Sequence, residues 1–131
     1  MNIFSFRIHL KKSHIFNNFF GMEEYDDLTA GPNDDGNLNL SYNDYEDMPK
    51  ELFDLYSHRL FYLTLSYNGL TKISENIQKL VLLKELNLSH NHIEFIEPTI
   101  SCCVRLRRLD ISFNKLTSLP VELSRCRLLV S

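Results

Sequence analysis

The sequence predicts an α/β solenoid of about four coils, with a short curved parallel sheet on its inner face and helical, 3-10 or irregular segments on its outer side. Two observations predict it. Residues 83–96, LKELNLSHNHIEFI, have a close copy on each side, LFYLTLSYNGLTKI at 60–73 and LRRLDISFNKLTSL at 106–119, each offset by 23 residues. A looser copy, DGNLNLSYNDYEDM at 35–48, comes first, with Asp35 in place of the leading leucine and 25 residues separating Asn43 from Asn68. Within each copy, apolar residues two apart are followed by an asparagine, the pattern of a strand that runs into a turn.

The third copy shows what each position is for. Leu86 and Leu88 are two apart, so an extended chain points both to one face and Glu85, Asn87 and Ser89 to the other. The first face is core and the second meets water. Asn91 stands where the strand turns, and Asn43, Asn68 and Asn114 hold the same place in the other copies. An amide carries donors and acceptors, so it can pair with backbone groups that the turn would otherwise leave unpaired, and stacked coils line these amides into a ladder. Ile93, Ile96, Ile100 and Cys103 then bring the chain back along the outer side. One coil alone cannot bury such a pattern, whereas a stack makes a continuous core.

This series, L-x-x-L-x-L-S-x-N-x-hydrophobic-x-x-hydrophobic, resembles the leucine-rich repeat family from Asp35 to the C-terminus. Repeats are expected at about 35–59, 60–82, 83–105 and 106–128, with Leu129 and Val130 opening a fifth. Leu119 and Pro120 close the first apolar run of the fourth copy as Met48 and Pro49 do in the first. That detail resembles the 23-residue intracellular type typified by Ras-suppressor and Ras-scaffold proteins. Ile73-Ser74 and Ile96-Glu97-Pro98 depart from it. No polar cap follows Leu128, so either the protein continues or a partner covers the open coil.

Ahead of the repeats, residues 1–21 form a basic, aromatic extension in which Phe4, Phe6, Ile8 and Leu10 alternate with polar residues. Arg7, Lys11 and Lys12 interrupt it, which excludes a transmembrane span and a signal peptide of ordinary form. It covers the edge of the first coil, stays unstructured, or acts as a transit peptide. Residues 22–37 are acidic, and Gly31-Pro32 breaks any helix, so they read as a solvated linker. In the first repeat Pro49 precedes a helical turn, and its two extra residues fall near Tyr56 to Arg59.

Charge is graded along the chain. Residues 22–58 hold eleven acids against Lys50, whereas residues 102–131 hold six Lys and Arg against Asp110 and Glu122, within a net charge of -3. A field this mixed does not argue for nucleic acid. Three cysteines, Cys102, Cys103 and Cys126, form no paired framework and favour a reducing, cytoplasmic compartment. The sequons at Asn39 and Asn87 fall on inner-face strand positions, where a glycan would obstruct the sheet. Cys103 and Cys126 read as small buried hydrophobes in the place taken earlier by Leu55 and Leu80.

No catalytic constellation, phosphate loop or cofactor motif is present in the sequence. His90 and His92 flank Asn91 but lack a third metal ligand at a fitting distance. The inner face is the more informative surface. Its third-position column is Asn37, Tyr62, Glu85 and Arg108, its fifth Asn39, Thr64, Asn87 and Asp110, its seventh serine throughout, and its eighth Tyr42, Tyr67, His90 and Phe113. Either Tyr42, Tyr62, Tyr67, Glu85, His90, Arg108 and Phe113 form a partner-binding row, since aromatics and arginine anchor interfaces, or the aromatics cover the asparagine ladder. The resemblance implies a non-catalytic module that docks a protein on its inner face, a scaffold or regulatory subunit in intracellular signalling. Other readings are the recognition segment of a larger kinase, cyclase or ubiquitin ligase, and a structural element of cilia or cytoskeleton.

Overall fold

The computed structural model of the protein describes residues 27–130. The basic extension at 1–21 and the acidic residues 22–26 lie outside the described residues. The chain runs β1 (Asn37–Asn39), α1 (Glu51–Asp54), β2 (Tyr62–Thr64), β3 (Lys72–Ile73), the 3-10 turn η1 (Glu75–Lys79), β4 (Glu85–Asn87), β5 (Phe95–Ile96), η2 (Pro98–Cys102), β6 (Arg108–Asp110) and η3 (Val121–Arg125). Strands β1, β2, β4 and β6 form a parallel sheet in that order, and β3 pairs with β5 in a second one.

The register follows the repeat. Asn37 pairs with Tyr62, Tyr62 with Glu85, and Glu85 with Arg108, so the columns aligned in the sequence are neighbours in space, across the longer first copy as well. Alternation along each strand turns Leu38, Leu63 and Leu86 into the core, where they are about 1% exposed. Leu40, Leu65 and Leu88 follow them inward, and their N–H groups extend the ladder to the carbonyls of Thr64, Asn87 and Asp110 at 2.8, 2.8 and 2.7 Å. On the outer side Leu52, Ile77 and Ile100 close the core from α1, η1 and η2.

The first coil's extra length is divided, and this corrects one expectation. Pro49 to Leu52 matches Ser74 to Ile77, but α1 then makes an i to i−4 bond, Leu55 N–H to the Glu51 carbonyl at 2.9 Å, where η1 makes the tighter Leu80 N–H to Ile77 bond at 3.0 Å. The wider turn absorbs one residue, and the second lies between Tyr56 and Leu60. Leu55 is therefore pushed outward, 63% exposed, and buried Tyr56 takes the place held by Leu80, Cys103 and Cys126 in later coils.

Residues 28–36, expected as a solvated linker, instead pack on this first coil. The Tyr56 hydroxyl donates to the Leu28 and Thr29 carbonyls, and Arg59 Nη2 donates to the Pro32 carbonyl at 2.9 Å. Gly31 and Gly36 turn with φ of 74° and 79°, a region open to glycine, and a Cβ at Gly31 would lie 2.5 Å from the Tyr56 ring.

The asparagines bind coil to coil. Asn91 Nδ2 donates to its own Leu88 carbonyl at 3.0 Å and to Leu65 of the preceding coil at 3.0 Å, while its Oδ1 accepts from Leu70 N–H at 3.0 Å. Asn68 repeats this with Leu65, Leu40 and Tyr45, and Asn114 with Ile111, Leu88 and Ile93. Asn43 donates to Leu40 and Ser41.

Two outcomes follow from this packing. Asn91→Ala leaves the buried Leu70 N–H without its partner and removes one of the two side-chain amide donors from each of the Leu65 and Leu88 carbonyls, and should lower unfolding free energy by roughly 1–3 kcal/mol in urea titration. Cys103 is fully buried, its thiol is 3.3 Å from the Ile77 carbonyl, and burial with the nearby Cys126 and Cys102 pushes its pKa up to about 12. Exposed Cys102 should alkylate quickly in native protein, and Cys103 and Cys126 only on the timescale of opening, as read by mass spectrometry.

Candidate functional site

The outward side of the four-stranded sheet carries the third and fifth columns. Asn37 and Arg108 are exposed at its ends, and Tyr62 and Glu85 are half-buried between them. The fifth column is partly committed to local turns. Asn87 Oδ1 accepts from both the N–H and the hydroxyl of Ser89, at 3.0 and 2.8 Å, and Asn39 does the same for Ser41. Asp110 serves Ser112 likewise, and these bonds, with the charges of His90 and Arg108, hold its carboxyl below the usual carboxylate value.

The serines themselves correct the sequence reading. Ser41, Ser66 and Ser89 were expected to meet water but are 3 to 7% exposed, and the Ser41 and Ser66 hydroxyls are 2.9 Å apart. The simple alternation stops at the end of each three-residue strand, because the residue that follows the serine leaves the strand geometry.

That next residue is the eighth-position aromatic, and in every coil it has a left-handed backbone. Tyr42, Tyr67, His90 and Phe113 have φ of 58°, 54°, 56° and 55°. Their N–H groups still reach the neighbouring coil, Tyr67 to the Ser89 carbonyl at 3.1 Å and His90 to Ser112 at 3.0 Å. Their rings form one pile, with centroids 4.5, 4.2 and 4.2 Å apart and planes within 9°. Tyr67 and His90 are each sandwiched, so they offer a partner only their edges, while Phe113 is 72% exposed.

The seven residues singled out in the sequence therefore fall into two groups. Tyr62, Glu85 and Arg108 lie in one row on the sheet, and Tyr42, Tyr67, His90 and Phe113 stack beside it at the strand exits. A third row went unnoticed, the second-position column of Phe61, Lys84 and Arg107, where Lys84 Nζ lies 5.3 Å from the Phe61 ring centroid. Its signal was the run of bulky and basic residues just before each strand. Among the described residues, no group of three His, Cys, Asp or Glu could hold a metal ion, and no helix is long and apolar enough to cross a membrane.

A family model described as leucine rich repeat matches residues 37–93, and one described as leucine rich repeats in two copies matches residues 81–125. The chain belongs to the leucine-rich repeat family. Among solved structures, a leucine-rich repeat protein of Leptospira interrogans is 30% identical with a TM-score of 0.61, over 71% of this chain and 29% of that one. TLR13, in a crystal structure of its complex with ssRNA13, is 28% identical with a TM-score of 0.63, over 72% of this chain and 14% of that one. This leucine-rich repeat chain thus spans under a third of either neighbour's length. No curated protein matches it significantly in sequence.

The aromatic pile can be tested through its backbone. Both Tyr67→Ala and Tyr67→Gly lose two ring contacts, but only alanine retains the left-handed penalty of ~1–2 kcal/mol. The glycine variant should be the more stable of the two by about 1 kcal/mol in thermal or urea unfolding, the reverse of the usual order.

Proposed function

We propose that this chain is a protein-recognition module that docks a partner on the outward side of its four-stranded sheet, as a scaffold or regulatory subunit of intracellular signalling. Leucine-rich repeat domains are in general protein-interaction modules, and the observation that carries the reading here is the third-position row. Asn37, Tyr62, Glu85 and Arg108 stand side by side on the sheet. None belongs to the buried core, and each has a different chemistry. The odd number of cysteines, without a paired framework, and the Met48-Pro49 and Leu119-Pro120 pairs support the intracellular setting.

Comparison of inner and outer variants tests it. Tyr62→Ala should weaken partner capture by on the order of 2 kcal/mol, as truncation of an interface anchor does, with an unchanged circular dichroism spectrum. Lys79→Ala, on η1 at the outer side, should leave capture unaltered. Loss of capture in the outer variant alone would place the docking surface elsewhere.

A further inference from the structure

Charge on the sheet is sharply divided, and its placement restricts what can lie there. Coil one begins at exposed Asp34 and Asp35, just before Asn37, with exposed Asp44, Glu46 and Asp47 past its turn. Coils three and four instead present Lys84, Arg107 and Arg108, the two arginines exposed, against the two acids Glu85 and Asp110, the latter tied to Ser112. The backbone holds these together. The N–H groups of Arg107 and Arg108 both donate to the Lys84 carbonyl, at 2.8 and 3.2 Å, and those of Lys84 and Glu85 both donate to Phe61, at 2.7 and 3.2 Å. Phe61, Lys84 and Arg107 are thus stacked in one column, beside the Tyr62, Glu85 and Arg108 column.

We propose that this face takes an acidic protein segment, with carboxylates over Lys84, Arg107 and Arg108 and one aromatic or large apolar side chain against Phe61 and Tyr62. The proposal rests on the docking reading above and specifies its ligand. From β2 to β6 is two strand spacings, about 10 Å, which an extended segment covers in about three residues. The acidic and apolar groups should therefore be about three residues apart. Orientation follows as well, because the reversed segment would bring its carboxylates toward Asp34 and Asp35. The same two aspartates oppose a long polyanion such as nucleic acid, and the faces of Tyr67 and His90 are closed to bases by their own neighbours. Glu85, between Tyr62 and Arg108, works against the ligand and leaves a signature: its neutralisation should tighten binding.

Fluorescence anisotropy with three labelled probes tests this on the full chain. One is a short peptide with consecutive glutamates and a tryptophan about three residues away. The second is its glutamine counterpart, and the third is a single-stranded oligonucleotide of equal charge. The acidic peptide should bind about tenfold or more tighter than its glutamine counterpart at low salt, lose most of that advantage at about 0.3 M salt, and bind more tightly than the oligonucleotide. Arg107→Glu with Arg108→Glu should remove the preference, and Glu85→Gln should increase affinity, both with unchanged circular dichroism. Equal binding of the glutamine peptide, tighter binding of the oligonucleotide, indifference to the double reversal, or no peptide binding would each overturn the proposal. If Tyr62→Ala still abolishes capture of a native partner in those cases, the docking face stands and only the acidic ligand falls.

Discussion

Every coil has to leave a three-residue strand through one left-handed residue, and the remaining architecture depends on how that turn is held. Four bulky residues occupy it, at φ between 54° and 58°. Left-handed backbone costs such residues ~1–2 kcal/mol each. Ring stacking offsets part of this, since an aromatic pair contributes about 0.5–1.5 kcal/mol beyond its buried area. The turn also aims the following asparagine into the coil. Its amide there bridges carbonyls of two successive coils, so no coil can relax its turn without releasing its neighbour. Stability in such a stack is a nearest-neighbour property, and these turns add side-chain polar contacts between neighbours to those of the strand ladder.

The register and the columns were legible in the sequence because a parallel coil stack converts sequence period directly into spatial alignment. Asn37, Tyr62, Glu85 and Arg108 could be placed side by side by counting alone. What counting could not show were departures from strand or repeat geometry. Ser89 is buried because the rule of alternate faces holds only while φ stays extended, and His90 ends it. Tyr, His and Phe are poor signals for a left-handed turn, so the pile they form was visible only as a column of aromatics with two readings. Leu55 was misplaced because a period says how many residues are added but not whether an α turn or a loop takes them up.

The first coil differs from the others in a consistent direction. Its α turn brings Tyr56 rather than a leucine or cysteine into the outer core, and the ring carries a hydroxyl that a leucine lacks. That hydroxyl, with Arg59, fastens residues 28–36 through their carbonyls, and two glycines allow those residues to approach the Tyr56 and Phe61 rings. Polar groups on a core position are costly unless paired, so Tyr56 is suited to a coil whose neighbour is an irregular segment instead of another repeat.

The same comparison across coils separates structure from recognition. The seventh, eighth and ninth columns are uniform in kind, serine, aromatic ring and asparagine, because each is fixed by a contact with the equivalent residue or backbone of the next coil. The second and third columns are not uniform. Phe61 differs from the basic Lys84 and Arg107, Tyr62, Glu85 and Arg108 differ from one another, and what repeats from coil to coil is the pairing of their backbones. A position whose side chain the solenoid does not use is free to specify a partner. Fold alone leaves that partner open. On the docking reading proposed above, these two columns, neutral at Phe61 and Tyr62 and basic at Arg107 and Arg108 with Glu85 between, carry the specificity, and the aromatic pile flanks them as support.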